Sequence, residues 1–189
     1  MRTGMGKKKA IAVALYMLAI VSANVLTASV APIQWGALIV PAGSFLIGAT
    51  FIFRDFVQNA IGRKPTYLVI LSAMIVSALT SFWLDDTLWI VFASALTFLL
   101  SETTDTEIYT RLKLPLSMRV LYSGIVGGAV DSVVFVVVGL SPLGAGFLPW
   151  SMVGYAIAGQ IVVKLGMQLI GAAVVHAALR ARGAAEKTA

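Results

Sequence analysis

Six stretches of this chain are long and apolar enough to cross a bilayer, and that feature dictates the class of fold. A spanning helix needs about 20 mostly apolar residues. The stretches are 10–30, 35–61, 67–84, 88–110, 120–140 and 150–179. Inside lipid every backbone N–H and C=O must find a partner within the protein, so such segments form helices. The expected fold is an all-α membrane protein, a bundle of six transmembrane helices in one domain over 1–179, followed by an unstructured cytoplasmic tail, 180–189. Of the 189 residues, 59% are hydrophobic and 12% charged, against about 25% charged in soluble domains. Only the second stretch contains proline, Pro41, with Gly43 and Gly48 nearby. Proline lacks a donor and glycine loosens a helix, so a kink or break is expected there. The first stretch follows Lys7, Lys8 and Lys9 as a signal peptide would, but its apolar run exceeds the usual length of about 7–15 residues. It reads as a permanent helix.

Charge placement sets the orientation. Arg2 and the lysine trio precede the first span. Arg63 and Lys64 lie between the second and third, Arg111, Lys113 and Arg119 between the fourth and fifth, and Arg180, Arg182 and Lys187 after the sixth. The other three connections carry no Lys or Arg. Basic loops stay on the cytoplasmic side, so both termini are expected there. Trp35, Trp83, Trp89 and Trp150 all fall at the opposite ends, as an interfacial belt would. The net charge of +6 is thereby explained by anionic lipid, and no nucleic-acid partner is needed. Cysteine is absent and there is one histidine, His176. That excludes a disulfide framework, a thiol nucleophile and a Cys/His metal cluster. No Ser–His pair, HExxH or phosphate-binding GxxxxGK[ST] loop occurs, so neither an enzyme, a metal nor a cofactor is expected.

Ionisable groups within spans are costly and usually mark a site or pathway. At about 1.5 Å per residue, Glu102, Asp131 and Lys164 on three different helices come out near the middle of a core about 30 Å thick. Gln160, Lys164 and Gln168 recur every four residues as one stripe. Glu102, Asp105 and Tyr109 share a face of the fourth span. Arg54 shares a face with Gln58, and Asp55 with Asn59. Asn24 is the polar feature of the first span. Gly124 and Gly128 form a GxxxG suited to close helix approach. Bland readings stand beside these. Arg54 and Asp55 make a boundary ion pair, Lys164 neutralises one carboxylate, Glu107 is solvated, His176 is an edge residue, and Phe45, Phe51, Phe53 and Phe56 pack or face lipid. With Asp55, Glu102, Asp105 and Asp131 against Arg54 and Lys164, the interior holds two excess carboxylates if all ionise. Protons or a donor-rich ligand must offset them.

Several runs together resemble the vitamin uptake (queuosine-precursor) transporter family. They are Ser22-Ala23-Asn24, Arg54-Asp55-Phe56 with Ile61-Gly62-Arg63, Glu102-Thr-Thr-Asp105 through Tyr109, Arg111 and Lys113, Gly127-Gly128-Ala-Val-Asp131-Ser132, and Gly159-Gln160-Ile-Val-Val-Lys164. The resemblance covers nearly the whole chain, in order. Family members often carry glutamine at the place of Glu102 and asparagine at that of Gly128. The resemblance implies a multi-pass inner-membrane importer of a queuosine precursor, a 7-deazaguanine-type base. It implies Asn24, Asp55, Glu102, Asp105, Asp131 and Lys164 as binding and coupling positions, to which the polar stripes add Arg54, Tyr109 and Gln160. Proton coupling, a homo-oligomer, and an alternative role as the substrate-binding subunit of an energy-coupling-factor importer with an ATPase module stay open.

Overall fold

The computed structural model describes the backbone of residues 2–188 and the side chains of residues 6, 7 and 9–181. Arg2, Lys8, Arg182 and Lys187, four of the charges that set the orientation, lie outside the described side chains. The order is α1 (Arg2–Ser29), a hairpin of β1 (Ile33–Trp35) and β2 (Leu38–Val40), α2 (Ser44–Ile61), α3 (Arg63–Trp83), α4 (Leu88–Arg111), α5 (Leu116–Val134) and α6 (Trp150–Thr188). Alpha-helical α5 continues as a wider π-helical segment, Phe135–Leu140. Four segments suffice by length and composition to cross a membrane: Lys9–Ser29, Arg63–Trp83, Leu116–Leu140 and Trp150–Ala181. The two remaining helices, α2 and α4, are those that carry Arg54, Asp55, Glu102 and Asp105.

The second apolar stretch is not one helix. Residues 33–40 form the antiparallel hairpin, with Ile33 opposite Val40, and α2 starts only at Ser44. Pro41 and Gly43 stop helical hydrogen bonding from extending further back. The helix from Ser44 is 18 residues long, about 27 Å. A second departure is at the carboxyl end, where α6 runs on to Thr188 past Leu179, through the expected unstructured tail; Ala189 lies outside the described residues.

The helices pack as an up-and-down bundle, and α3 shows the logic. Thr66, Ile70, Ala73, Ser77 and Ser81 are buried, while Leu68, Leu71, Ile75 and Leu79 are exposed. Small and polar side chains thus face the neighbours and large apolar ones face outward, the arrangement that suits lipid. One residue, Gly62, joins α2 to α3 with φ 86°, a conformation open to glycine. On α5, Gly124 and Gly128 both face α6, against Gln168 and Lys164. Gly127 faces the other way. A Cβ there would sit 2.8 Å from the Asp105 Cβ and 3.1 Å from Phe51 Cε1, neither of which is a flexible chain end. Gly127→Ala is therefore expected to cost about 1–3 kcal/mol, read as a lower unfolding temperature in detergent. Gly128→Ala, whose Cβ would lie 3.4 Å from that of Lys164, should be nearly neutral.

Candidate substrate cavity and buried charge cluster

The helix ends gather into two groups. At one end lie the hairpin and the connections 84–87 and 141–149, which carry no Lys or Arg. At the other lie Gly62, Arg63 and the 112–115 turn, beside Arg111 and Arg119. A cavity of about 390 Å³ enters from the first end, a size that fits a small-molecule site. Pro32, Asp86, Phe147 and Leu148 line its mouth. Its depth is lined by Asn24 of α1, Ser77 of α3, Thr97 and Phe98 of α4, Asp131 and Phe135 of α5, and Gln160 and Lys164 of α6.

The innermost polar groups form a connected set. Lys164 Nζ donates to Asp131 Oδ2 at 2.5 Å, to Gln160 Oε1 at 2.9 Å and to Ser132 Oγ at 3.0 Å. The i, i+4 spacing on α6 puts Gln160 one turn from Lys164. Ser132 also donates to the Gly128 carbonyl at 2.7 Å, which fixes its hydroxyl. Asn24 Nδ2 donates to the carbonyl and the hydroxyl of Ser77, both at 3.0 Å. Gln160 Nε2 is buried without a hydrogen-bond partner. A buried amide donor left free on a cavity wall invites an acceptor from a ligand.

Arg54, Asp55, Glu102, Asp105 and Tyr109 do not line this cavity; they form a second, closed cluster. Arg54 Nη1 lies 2.9 Å from Asp55 Oδ1 and donates to Gln58 Oε1 at 2.9 Å. Its Nε donates to Glu102 Oε2 at 3.2 Å, and its Nη2 pairs with Asp105 Oδ2. The guanidinium lies 5.9 Å from the centroid of the Tyr109 ring, while Arg119 stacks on that ring at 3.9 Å. Arg54, Asp55 and Asp105 have no exposure to solvent, so Arg54 neither snorkels nor sits at a boundary. Glu102, Asp105 and Tyr109 share one face of α4, as their spacing implies, and that face meets α2.

Other side chains fall where their bland readings put them. Glu107 lies at the basic end, paired with Arg63 and Tyr67, and with Arg111 at 3.3 Å. His176 is exposed. Phe51 packs against Gly127 and Gly128, and Phe45 is exposed. The cavity aromatics are instead Phe98, Phe135 and Phe147, which carry no sequence signal that separates them from lipid-facing phenylalanines. The π-helical segment was equally hidden. It places Phe135 and Leu140 on the cavity, and Trp89 Nε1 donates to its Val138 carbonyl at 2.7 Å. Such segments often accompany functional sites.

Residues 41–178 match the family described as "putative vitamin uptake transporter". The chain belongs to the vitamin uptake transporter family. The matched region runs from Pro41 through α2–α6 and leaves out α1, the helix that supplies Asn24. No curated protein and no solved structure matches the chain. Membership of this family makes it a membrane transport protein and speaks against an enzyme.

Proposed function

We propose that the chain is a multi-pass inner-membrane importer that carries a queuosine precursor, a 7-deazaguanine-type base, into the cytoplasm, driven by proton entry. In this reading all six helices cross the bilayer, both termini are cytoplasmic, and the 390 Å³ cavity faces outward. The observation that carries it is the polar set at the cavity's inner end, Asp131, Lys164 and Gln160, in a chain of this family. A guanine-like edge presents a ring N–H and an amino group side by side, which match the two oxygens of one carboxylate. Asp131, whose side chain is 13% exposed, supplies that acceptor. Lys164 pairs with it. The free Nε2 of Gln160 donates to the base carbonyl, and Phe98 and Phe135 flank an aromatic ring. Since Lys164 already balances Asp131, the bound base need not be cationic.

The test is complementation. Cells unable to make the precursor, given this chain and low concentrations of deazaguanine bases, should regain queuosine in tRNA. In labelled uptake, Gln160→Ala should lower transport about tenfold, as expected for one lost hydrogen bond of about 1.4 kcal/mol. Good membrane expression with no queuosine from any deazaguanine would exclude this substrate class. Activity that appears only when an ATPase module co-purifies would favour the energy-coupling-factor arrangement instead.

A further inference from the structure

The charges around Arg54 do not balance. Asp55 on the same helix and Glu102 and Asp105 on α4 all touch one guanidinium. The groups facing them from neighbouring elements add little positive charge. Tyr16 of α1 lies beside Glu102, and Ser123 of α5 beside Asp105. Asp131 also lies near Glu102 but is held by Lys164. Among the described residues the further cation is Arg119, which stacks on the same Tyr109 ring that Arg54 faces. Even with Arg119 counted, one negative charge is left over. Asp55 Oδ2 is fully buried and has no hydrogen-bond partner. A bare carboxylate oxygen in such a place is among the costliest arrangements in a protein interior, and a proton removes the charge.

The surroundings bring the cluster close to the basic end. At the basic end a second hollow, of about 240 Å³, is lined by Gln58, Asn59, Gly62, Arg63, Tyr109, Thr110 and Arg119. Two of these, Gln58 and Tyr109, also contact Arg54. None of the three carboxyls lines either hollow, but Gln58 and Tyr109, which touch Arg54, line only the one at the basic end. The two hollows thus approach the middle of the bundle from opposite ends, and α4 runs past both. Thr97 and Phe98 face the cavity, Ser101 Oγ lies 3.5 Å from Asp131 Oδ1, and Glu102 and Asp105 hold Arg54.

We propose that the Arg54 cluster is a proton-binding site served from the basic end of the bundle and separate from the substrate cavity. As arranged here it holds at least one proton among Asp55, Glu102 and Asp105. Movement of α4, which touches both sites, links its release to the state of the cavity. The link to uptake rests on the importer reading; the proton site does not.

Infrared spectroscopy of the purified chain in lipid nanodiscs tests the site without any substrate. A protonated-carboxyl C=O band should be present at neutral pH and should shift to lower frequency in D2O. It should vanish in at least one of Asp55→Asn, Glu102→Gln and Asp105→Asn. Wild-type chain labelled with 13C-aspartate or 13C-glutamate assigns the band to aspartate or glutamate even where a variant does not fold. Absence of the band, its persistence in every folded variant with no label shift, or its failure to exchange in D2O overturns the proposal. Failed complementation with the band intact strikes the importer reading and leaves the proton site standing. A band with properties as stated, combined with uptake indifferent to a pH gradient, overturns the link through α4.

Discussion

Arg54→Leu is expected to abolish the stable bundle. The substitution keeps the bulk of an apolar side chain but leaves Asp55, Glu102 and Asp105 with no cation in contact. Removing one partner of a buried ion pair costs about 3–5 kcal/mol, and three carboxylates here lose the same partner at once. A typical domain has about 5–15 kcal/mol in total, so most of the protein should aggregate or elute as an unfolded species from detergent extracts. Arg54→Lys should be nearly as damaging. An ammonium has no planar fork, and the present guanidinium uses Nε, Nη1 and Nη2 toward three different carboxyls. The defect has a charge signature. Acidification neutralises the orphaned carboxylates, so the unfolding temperature of Arg54→Leu should rise relative to wild type as pH falls. Adding Asp55→Asn and Asp105→Asn to Arg54→Leu should recover much of the lost stability at neutral pH. A single Arg54→Leu variant that melts within a few degrees of wild type would show that the cluster carries no structural weight.

This cluster also shows where reading the sequence reached its limit. The helices were legible because a long apolar run has one way to satisfy its backbone in lipid, and α3, α4 and α5 with its π-helical continuation begin and end within a few residues of their apolar stretches. The interruption at Pro41 was legible for the reason already given, the missing donor. The hairpin before it was not, since Ile33, Leu38, Ile39 and Val40 are as apolar as any helix. The charged residues were legible as a set and illegible as a layout. Rise per residue gives depth, and Glu102 and Asp131 do lie near each other. Depth says nothing about which neighbour a helix face meets. Glu102 turns toward Arg54, whereas Asp131 turns toward Lys164 and the cavity. The interior's two excess carboxylates therefore belong to the closed cluster, and the cavity carries a balanced pair. Serines and threonines such as Ser77 and Thr97 went unnoticed because they occur throughout membrane helices, and only packing singles out those that line a hollow.

The balanced pair is where binding and structure must be separated, and a double-variant cycle does it. Lys164→Met leaves Asp131 without its cation, and Asp131→Asn leaves a buried ammonium hydrogen-bonded but without its counter-charge. Each single variant is expected to lose about 3 kcal/mol of stability, the lower part of the range for a broken buried pair, because Asp131 is partly exposed. The double variant removes both charges. It should recover most of the lost stability, since replacing a whole buried pair by neutral groups is often close to neutral. If the pair merely ties α5 to α6, uptake should recover together with the fold. If Asp131 accepts the two N–H groups of the base, uptake should stay at least tenfold below wild type in the refolded double variant, the effect of losing one charge-assisted hydrogen bond of about 1.5–3 kcal/mol. The two quantities therefore part company only under the binding reading. Parallel recovery of unfolding temperature and transport would remove Asp131 from the substrate site and leave Gln160 and Asn24 as the polar groups available there.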